Sequence, residues 1–382
     1  MKITRRGFVG TIGLGAATSL LSGTSLISKG ASAQTVAEAA SGVYDGGIMQ
    51  LNQNESARGP GPKTMQAIHA HTTKRVGRGY SPDHVNELHS AIADEYGVGR
   101  ENVMLATGSS PILRGSVRAF CTAERGLVTA GPTYATCEQT ARQIGAGLEV
   151  IRLDHSMSID LDGMASAAVG AGLVYFCNPN NPTGTVHGPG AVEAFVRRIM
   201  RESPDTRILI DEAYINYAAE GTIETALPLV HEFENVFISR SFSKAHALAG
   251  MRIGYALGQQ QTLRAMTDIW GMGEVNMLGA VAALTAMQDK EHLEWEREEN
   301  AEIRAFVSNS FREMGYEVSE SSTNHIFVNI RQPARDFRAA CLEHKILVGR
   351  DFPPFENTHC RISMGSREEM AIAVEVFKKV LA

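Results

Sequence analysis

The chain is poor in the features that mark several classes of protein. Its five cysteines (Cys121, Cys137, Cys177, Cys341 and Cys360) form no CxxC pair and cannot all pair with one another. Neither a zinc knuckle nor a dense disulfide framework is indicated, and most of these thiols are expected to be small buried hydrophobes. His69 and His71 have no third ligand nearby, so no metal site is expected. There is no run of five or six like charges, and the formal charge is only −6. The electrostatic footprint of a nucleic-acid or anionic-lipid binder is therefore missing. The P-loop pattern GxxxxGK followed by Ser or Thr is absent too, which removes the P-loop nucleotidase reading of Asp211-Glu212. What remains, at 382 residues with 43% hydrophobic, 20% charged and 7% aromatic, is an ordinary globular chain long enough for two domains.

The first 33 residues read as an address. Lys2, Arg5 and Arg6 precede 22 uncharged residues (7–28), and Ala31-Ser32-Ala33 offers a small-residue cleavage site. Twelve of the 22 are Gly, Ser or Thr and only ten are apolar, which disfavours a stable membrane anchor. Thr4-Arg5-Arg6-Gly7-Phe8-Val9 resembles the twin-arginine export signal, with Gly10 where that signal often has Lys. Export to the periplasm or the medium by the twin-arginine machinery, with cleavage after Ala33, is the expectation. The mature chain would keep 32 basic and 42 acidic residues, a formal charge of −10 on 349 residues.

From residue 102 onward, short apolar runs alternate with helix-length patterns. Strands are expected at 103–106, 126–129, 149–152, 173–177, 207–210, 236–239 and 252–257, with helical spacing between several of them, as over 191–201. That alternation predicts an α/β domain with a mainly parallel sheet, whose ligands lie beyond the carboxyl ends of the strands. A long helical pattern (279–314) follows, then strands at 317–319, 326–330, 346–348 and 360–363 and a helix at 334–344. This tail reads as a smaller α+β domain.

Three strand ends carry unusual residues. Asn178-Pro179-Asn180-Asn181-Pro182-Thr183-Gly184 follows the fourth strand with an excess of turn chemistry. Asp211-Glu212-Ala213-Tyr214 follows the fifth, and Ser241-Phe242-Ser243-Lys244 the sixth, with Arg252 eight residues on. A lysine, a carboxylate and a phosphate cradle are what pyridoxal phosphate requires. On these residues the chain resembles the fold-type I pyridoxal-phosphate aminotransferases of the histidinol-phosphate aminotransferase branch, from Leu51-Asn52 to Met364-Gly365.

The resemblance implies a large domain with a seven-stranded, mainly parallel sheet between helices, and a smaller α+β domain. Its boundaries are a signal over 1–33, a segment over 34–80 joining the small domain, a large cofactor-binding domain over 81–284 and a small domain over 285–382. It further implies Lys244 as the Schiff-base lysine and proton carrier, and Asp211 as partner of the pyridine nitrogen. Asn181 and Tyr214 would bind the phenolic oxygen, with Asn181 also facing the substrate, and Tyr134 would stack on the ring. The phosphate would lie on Ser109 and Ser110 at a helix amino terminus, closed by Ser241, Ser243 and Arg252. Tyr80 would reach the phosphate of a neighbouring subunit, which implies a homodimer. Arg361 would grip a substrate carboxylate and Arg350 the distal end of the substrate.

The activity so implied is transamination between an amino acid, or an amino-alcohol phosphate, and a 2-oxo acid. Decarboxylation, elimination or racemisation on the same cofactor remain open alternatives, as does a catalytically silent binding protein on the same fold. The run Asn54-Glu55-Ser56-Ala57-Arg58-Gly59 departs from the family's Asn-Glu-Asn-Pro-Tyr-Gly. Glu274 replaces part of a Pro-aromatic-Asn segment, His246 stands where an aromatic is common, and Ser110 replaces a frequent acidic residue. Arg58 and Glu274 are accordingly expected to build a polar pocket for a charged amino donor.

Overall fold

A computed structural model of the chain describes residues 47–77 and 83–382; the expected signal segment and Tyr80 lie outside the described residues. The first described strand, β1 (Met49–Leu51), is three residues long, too short to show a period, and has no counterpart among the expected strands. β2 (Val103–Ala106), β3 (Leu127–Gly131), β4 (Leu148–Arg152), β5 (Leu173–Cys177), β6 (Arg207–Asp211), β7 (Val236–Ser241) and β8 (Gly254–Leu257) build one sheet in the order β2-β8-β7-β6-β5-β3-β4. Neighbours from β7 to β4 run parallel, and β8 is antiparallel to both β2 and β7.

Both faces of the sheet are covered at its centre, which is why β5 reads as a continuous apolar run while the edge strand β4 does not. In β5, Leu173, Tyr175 and Cys177 join a core with Ile112, Leu113 and Leu209, while Val174 and Phe176 join the opposite core with Val196, Ile199 and Ile210. The helix Pro189–Glu202 shows how the cover is made. Pro sits in its first turn, where a missing N–H costs nothing, and Val192, Phe195, Val196 and Ile199 form its buried stripe. Burying each such side chain contributes about 1.5–3 kcal/mol.

β9 (Glu317–Val318), β10 (His325–Asn329), β11 (Ile346–Val348) and β12 (His359–Ser363) complete the strands. β12, β10 and β9 form an antiparallel sheet, and β1 pairs in parallel with β11, Leu51 facing Val348. Met49 and Leu51 thereby enter the third core with Ile303, Val307, Phe311, Phe337 and Phe377. Among the described residues no helix is long and apolar enough to cross a membrane.

Two expectations are corrected. The helical pattern over 279–314 is two helices, Met277–Gln288 and Lys290–Glu313. Asp289 separates them; its carboxylate accepts from Lys63 Nζ at 2.7 Å and stands at the amino end of the second helix, where negative charge is favoured. Arg252, expected to open a strand, instead follows a turn at Ala249–Met251 with a left-handed φ of 60°, and β8 begins at Gly254.

Candidate active site

Because β3, β5, β6 and β7 are parallel, their carboxyl ends open on one edge, and the loops that follow them converge there. A cavity of about 480 Å3 lies at this edge. Ser109, Ser110, Tyr134, Asn181, Asp211, Tyr214, Ser241, Ser243, Lys244, Arg252, Arg350 and Arg361 all line it.

Asp211 ends β6 and is buried. Ser239 Oγ donates to its Oδ1 and the Tyr175 hydroxyl to its Oδ2, each at 2.9 Å. Burial raises its pKa and the two hydroxyls oppose this. A buried carboxylate with only neutral donors is incompletely compensated and suits a cationic N–H at its cavity side.

Lys244 Nζ donates to the carbonyls of Asn54 at 3.0 Å and Gln53 at 3.2 Å. Burial, then Arg361, with Arg252 adding to it, lowers its pKa to about 8, against the opposing pull of Glu55 and Asp211. A lysine near pH 8 carries a useful neutral fraction and can act as nucleophile and base.

Around Tyr214 the amides are oriented by their neighbours. The Arg361 guanidinium can only donate, so Asn181 Oδ1 faces it at 2.8 Å and Asn181 Nδ2 donates to the Tyr214 hydroxyl at 3.3 Å. Asn54 Nδ2 donates to the same oxygen at 3.0 Å. Burial pushes the phenol's pKa up, so it keeps its proton at neutral pH and can direct it into the cavity. Arg361 also donates to the Asn52 carbonyl, yet its buried Nε has no partner among the described residues, and burial lowers its pKa to about 10. With no carboxylate of the described residues bonded to it, this guanidinium fits an incoming anion. Arg350 is exposed at the wall and lies over the Phe352 ring at 4.3 Å.

The anion cradle rests on backbone. Gly108 has φ +80°, and a Cβ there would stand 2.4 Å from Arg252 Nη2; one on Gly254 would stand 2.7 Å from Ser109 N. The backbone contact at Gly254 requires glycine for β8 to approach the amino end of the helix Ser110–Phe120, and the positive φ of Gly108 favours glycine there; the first turn of that helix holds Pro111 and is not capped by the Ser109 side chain. Its free N–H groups, the helix dipole, Arg252 and the neighbouring serines fit a phosphate. Taken with Asp211 and Lys244, the donor set fits pyridoxal phosphate.

Comparison with known proteins agrees. The family described as aminotransferase class I and II matches residues 46–377. The chain belongs to this family. It is similar to the histidinol-phosphate aminotransferases of Gluconacetobacter diazotrophicus (32% identity, 87% of this chain and 92% of that protein) and Moorella thermoacetica (29%, 89% and 87%). Among solved structures it is similar to the histidinol-phosphate aminotransferase of Sinorhizobium meliloti in complex with pyridoxal-5'-phosphate, with a TM-score of 0.78, 26% identity, and coverage of 88% of this chain and 91% of that one. The aminotransferase is accordingly an α/β fold-type I enzyme that uses pyridoxal 5'-phosphate to transfer an amino group between an amino and a 2-oxo substrate.

Arg58 is a correction. It does not line the cavity of the aminotransferase. Its Nε and Nη2 instead make two 2.6 Å bonds to Glu296, which also accepts from the Tyr217 hydroxyl. The side chains of the pair are 9% and 1% exposed. Glu274 is exposed and also lies off the cavity wall. His246 sits behind the site, its ring 5.0 Å from Phe242 and its Nε2 3.2 Å from Asn216 Nδ2, and burial lowers its pKa to about 4.

Sequence reading missed Asn52, Gln53, Asn54 and Glu55, which supply a whole wall or its hydrogen bonds. The one available signal was their place directly after Leu51, inside the run that carried the resemblance. Asn52 Oδ1 is buried without a partner among the described residues.

Proposed function

We propose that this aminotransferase takes as donor an amino acid or amino-alcohol phosphate whose anionic group is bound by Arg361, with Arg350 toward its distal end and a 2-oxo acid as acceptor. The observation that carries the reading is one cavity lined by Lys244, Asp211, Arg252, the helix end at Ser109 and Ser110, and Arg361, to which no carboxylate of the described residues is bonded. The relatives' activity toward histidinol phosphate makes that amine one candidate donor among acidic, basic and aromatic amino acids.

When bound, pyridoxal phosphate supplies a carbonyl carbon for amines and a ring that accepts the electron pair left at the donor's α carbon. Lys244 Nζ supplies the neutral amine that holds it and later carries a proton to and from the α carbon. The Asp211 carboxylate keeps the ring nitrogen protonated. The Tyr214 hydroxyl and the Asn181 amide orient the phenolic oxygen, and Tyr134 covers the ring face. Ser109, Ser110, Ser241, Ser243 and Arg252 bind the phosphate, and Arg361 fixes the substrate so that its α proton faces Lys244.

We also propose that the enzyme is exported through its twin-arginine signal, 1–33, and works as a homodimer in which Tyr80 serves the neighbouring site. The large domain is taken as 81–284 and the small one as 285–382, with 34–80 joining the latter; the separate apolar core around Phe311, Phe337 and Phe377, entered by Met49 and Leu51, supports this division. The test of the reaction is reconstitution with pyridoxal phosphate and a screen of amino donors, including histidinol phosphate, at saturating 2-oxo acid with products identified. Formation of the donor's oxo product supports the reading. Carbon dioxide, elimination products or the donor's mirror image would assign one of the other reactions.

A further inference from the structure

We propose that Asn54 is a positioning residue for transamination, setting the Tyr214 hydroxyl and the Lys244 amine at once. This rests on the roles given above to Tyr214 and Lys244. Asn54 is fully buried and has a left-handed φ of 56°, a conformation that asparagine adopts more readily than other residues with a Cβ.

Hydrogen bonds hold it on every side. The Asn54 N–H donates to Ser363 Oγ at 2.9 Å, and that hydroxyl donates back to Asn54 Oδ1 at 2.7 Å. In this arrangement Oδ1 lies against Ser363 Oγ and Nδ2 donates to the Tyr214 hydroxyl at 3.0 Å. The Asn54 carbonyl accepts from Lys244 Nζ at 3.0 Å and from Asn324 Nδ2 at 3.0 Å. One residue thus ties the segment after β1 to β12 and to two groups that act on the cofactor. Because the amide donates into the phenol oxygen, the phenolic hydrogen is left for the cavity.

The test compares Asn54→Gly, Tyr214→Phe and the double variant in the reconstituted enzyme. Glycine accepts the positive φ and keeps the carbonyl toward Lys244, so only the side-chain tie is lost. A hydrogen bond donated to the cofactor's ring oxygen favours its unprotonated form, so loosening Tyr214 moves the pH midpoint of the bound cofactor's visible absorbance upward. Expected for Asn54→Gly are an upward displacement in the direction of Tyr214→Phe, a kcat lower by about ten-fold with a smaller change in KM, and little further loss in the double variant. An unmoved midpoint, or losses that simply add in the double variant, would overturn the proposal. Should Asn54→Gly fail to fold, Ser363→Ala releases the amide from its other side and is judged by the same midpoint. If the parent enzyme itself shows no visible band with pyridoxal phosphate, the functional reading fails rather than this one.

Discussion

Arg361 donates a 2.8 Å hydrogen bond to Asn181 Oδ1, joining β12 to the loop after β5 across the cavity. That bond and a second to the Asn52 carbonyl anchor the guanidinium at the cavity lining, where no carboxylate of the described residues is bonded to it. The first bond also sets Asn181 Nδ2 toward Tyr214, which makes substrate and cofactor contacts parts of one network.

Replacing that arginine therefore has a directional consequence. Arg361→Lys keeps a charge but loses the planar fork, and kcat/KM for carboxylate donors should fall by roughly 10- to 100-fold, mostly through KM. Steady-state kinetics with a carboxylate donor and its amide measure this; equal losses for both would remove Arg361 from carboxylate binding.

Lys244 carries the second prediction. With its pKa lowered to about 8, the neutral amine fraction grows as pH rises and is nearly complete well below the range of an ordinary lysine. The rate at which the apoenzyme takes up pyridoxal phosphate should rise with pH and level off above about 8. Arg361→Gln removes a cation that depresses this amine, so the midpoint should move up. In Lys244→Ala no linkage should be trapped by borohydride, which mass spectrometry of the digest reads directly.

Arg58 should matter for stability and not for choice of donor. Arg58→Ala leaves the Glu296 carboxylate buried without its ion pair, a loss of about 3–5 kcal/mol. Thermal unfolding should show a clearly lower midpoint, while relative kcat/KM among acidic, basic and aromatic donors stays the same. A changed ranking at unchanged stability would return Arg58 to the specificity pocket.

The export proposal is tested by fusing residues 1–33 to a folded reporter. The fusion should leave the cytoplasm, and Arg5→Lys/Arg6→Lys should retain it. Export indifferent to that change would point to the general secretory route.

Much of the site was legible because its parts are local. A strand, a turn and a functional residue lie within ten positions in Leu173–Cys177 with Asn181, in Arg207–Asp211 with Tyr214, and in Val236–Ser241 with Lys244. Arg58 was misread because its partner Glu296 is 238 residues away, and an arginine at an aromatic's usual place looks like a change of specificity until that partner is seen. Asn54 was read only as the start of a run that departs from the family pattern, because its anchor Ser363 is 309 residues distant.

The sequence by itself determined which chemical groups the enzyme has and the order of strand ends that presents them, since strand runs, turn residues and helix starts are set by neighbours along the chain. Only the tertiary structure decided which polar groups close the pocket and which merely hold it. Burial and partner choice fix a side chain's charge state and orientation, and both depend on residues brought together from opposite ends of the chain. Lys244 shows the division: its place after β7 is written in sequence, whereas its lowered pKa comes from burial and from Arg361 on β12.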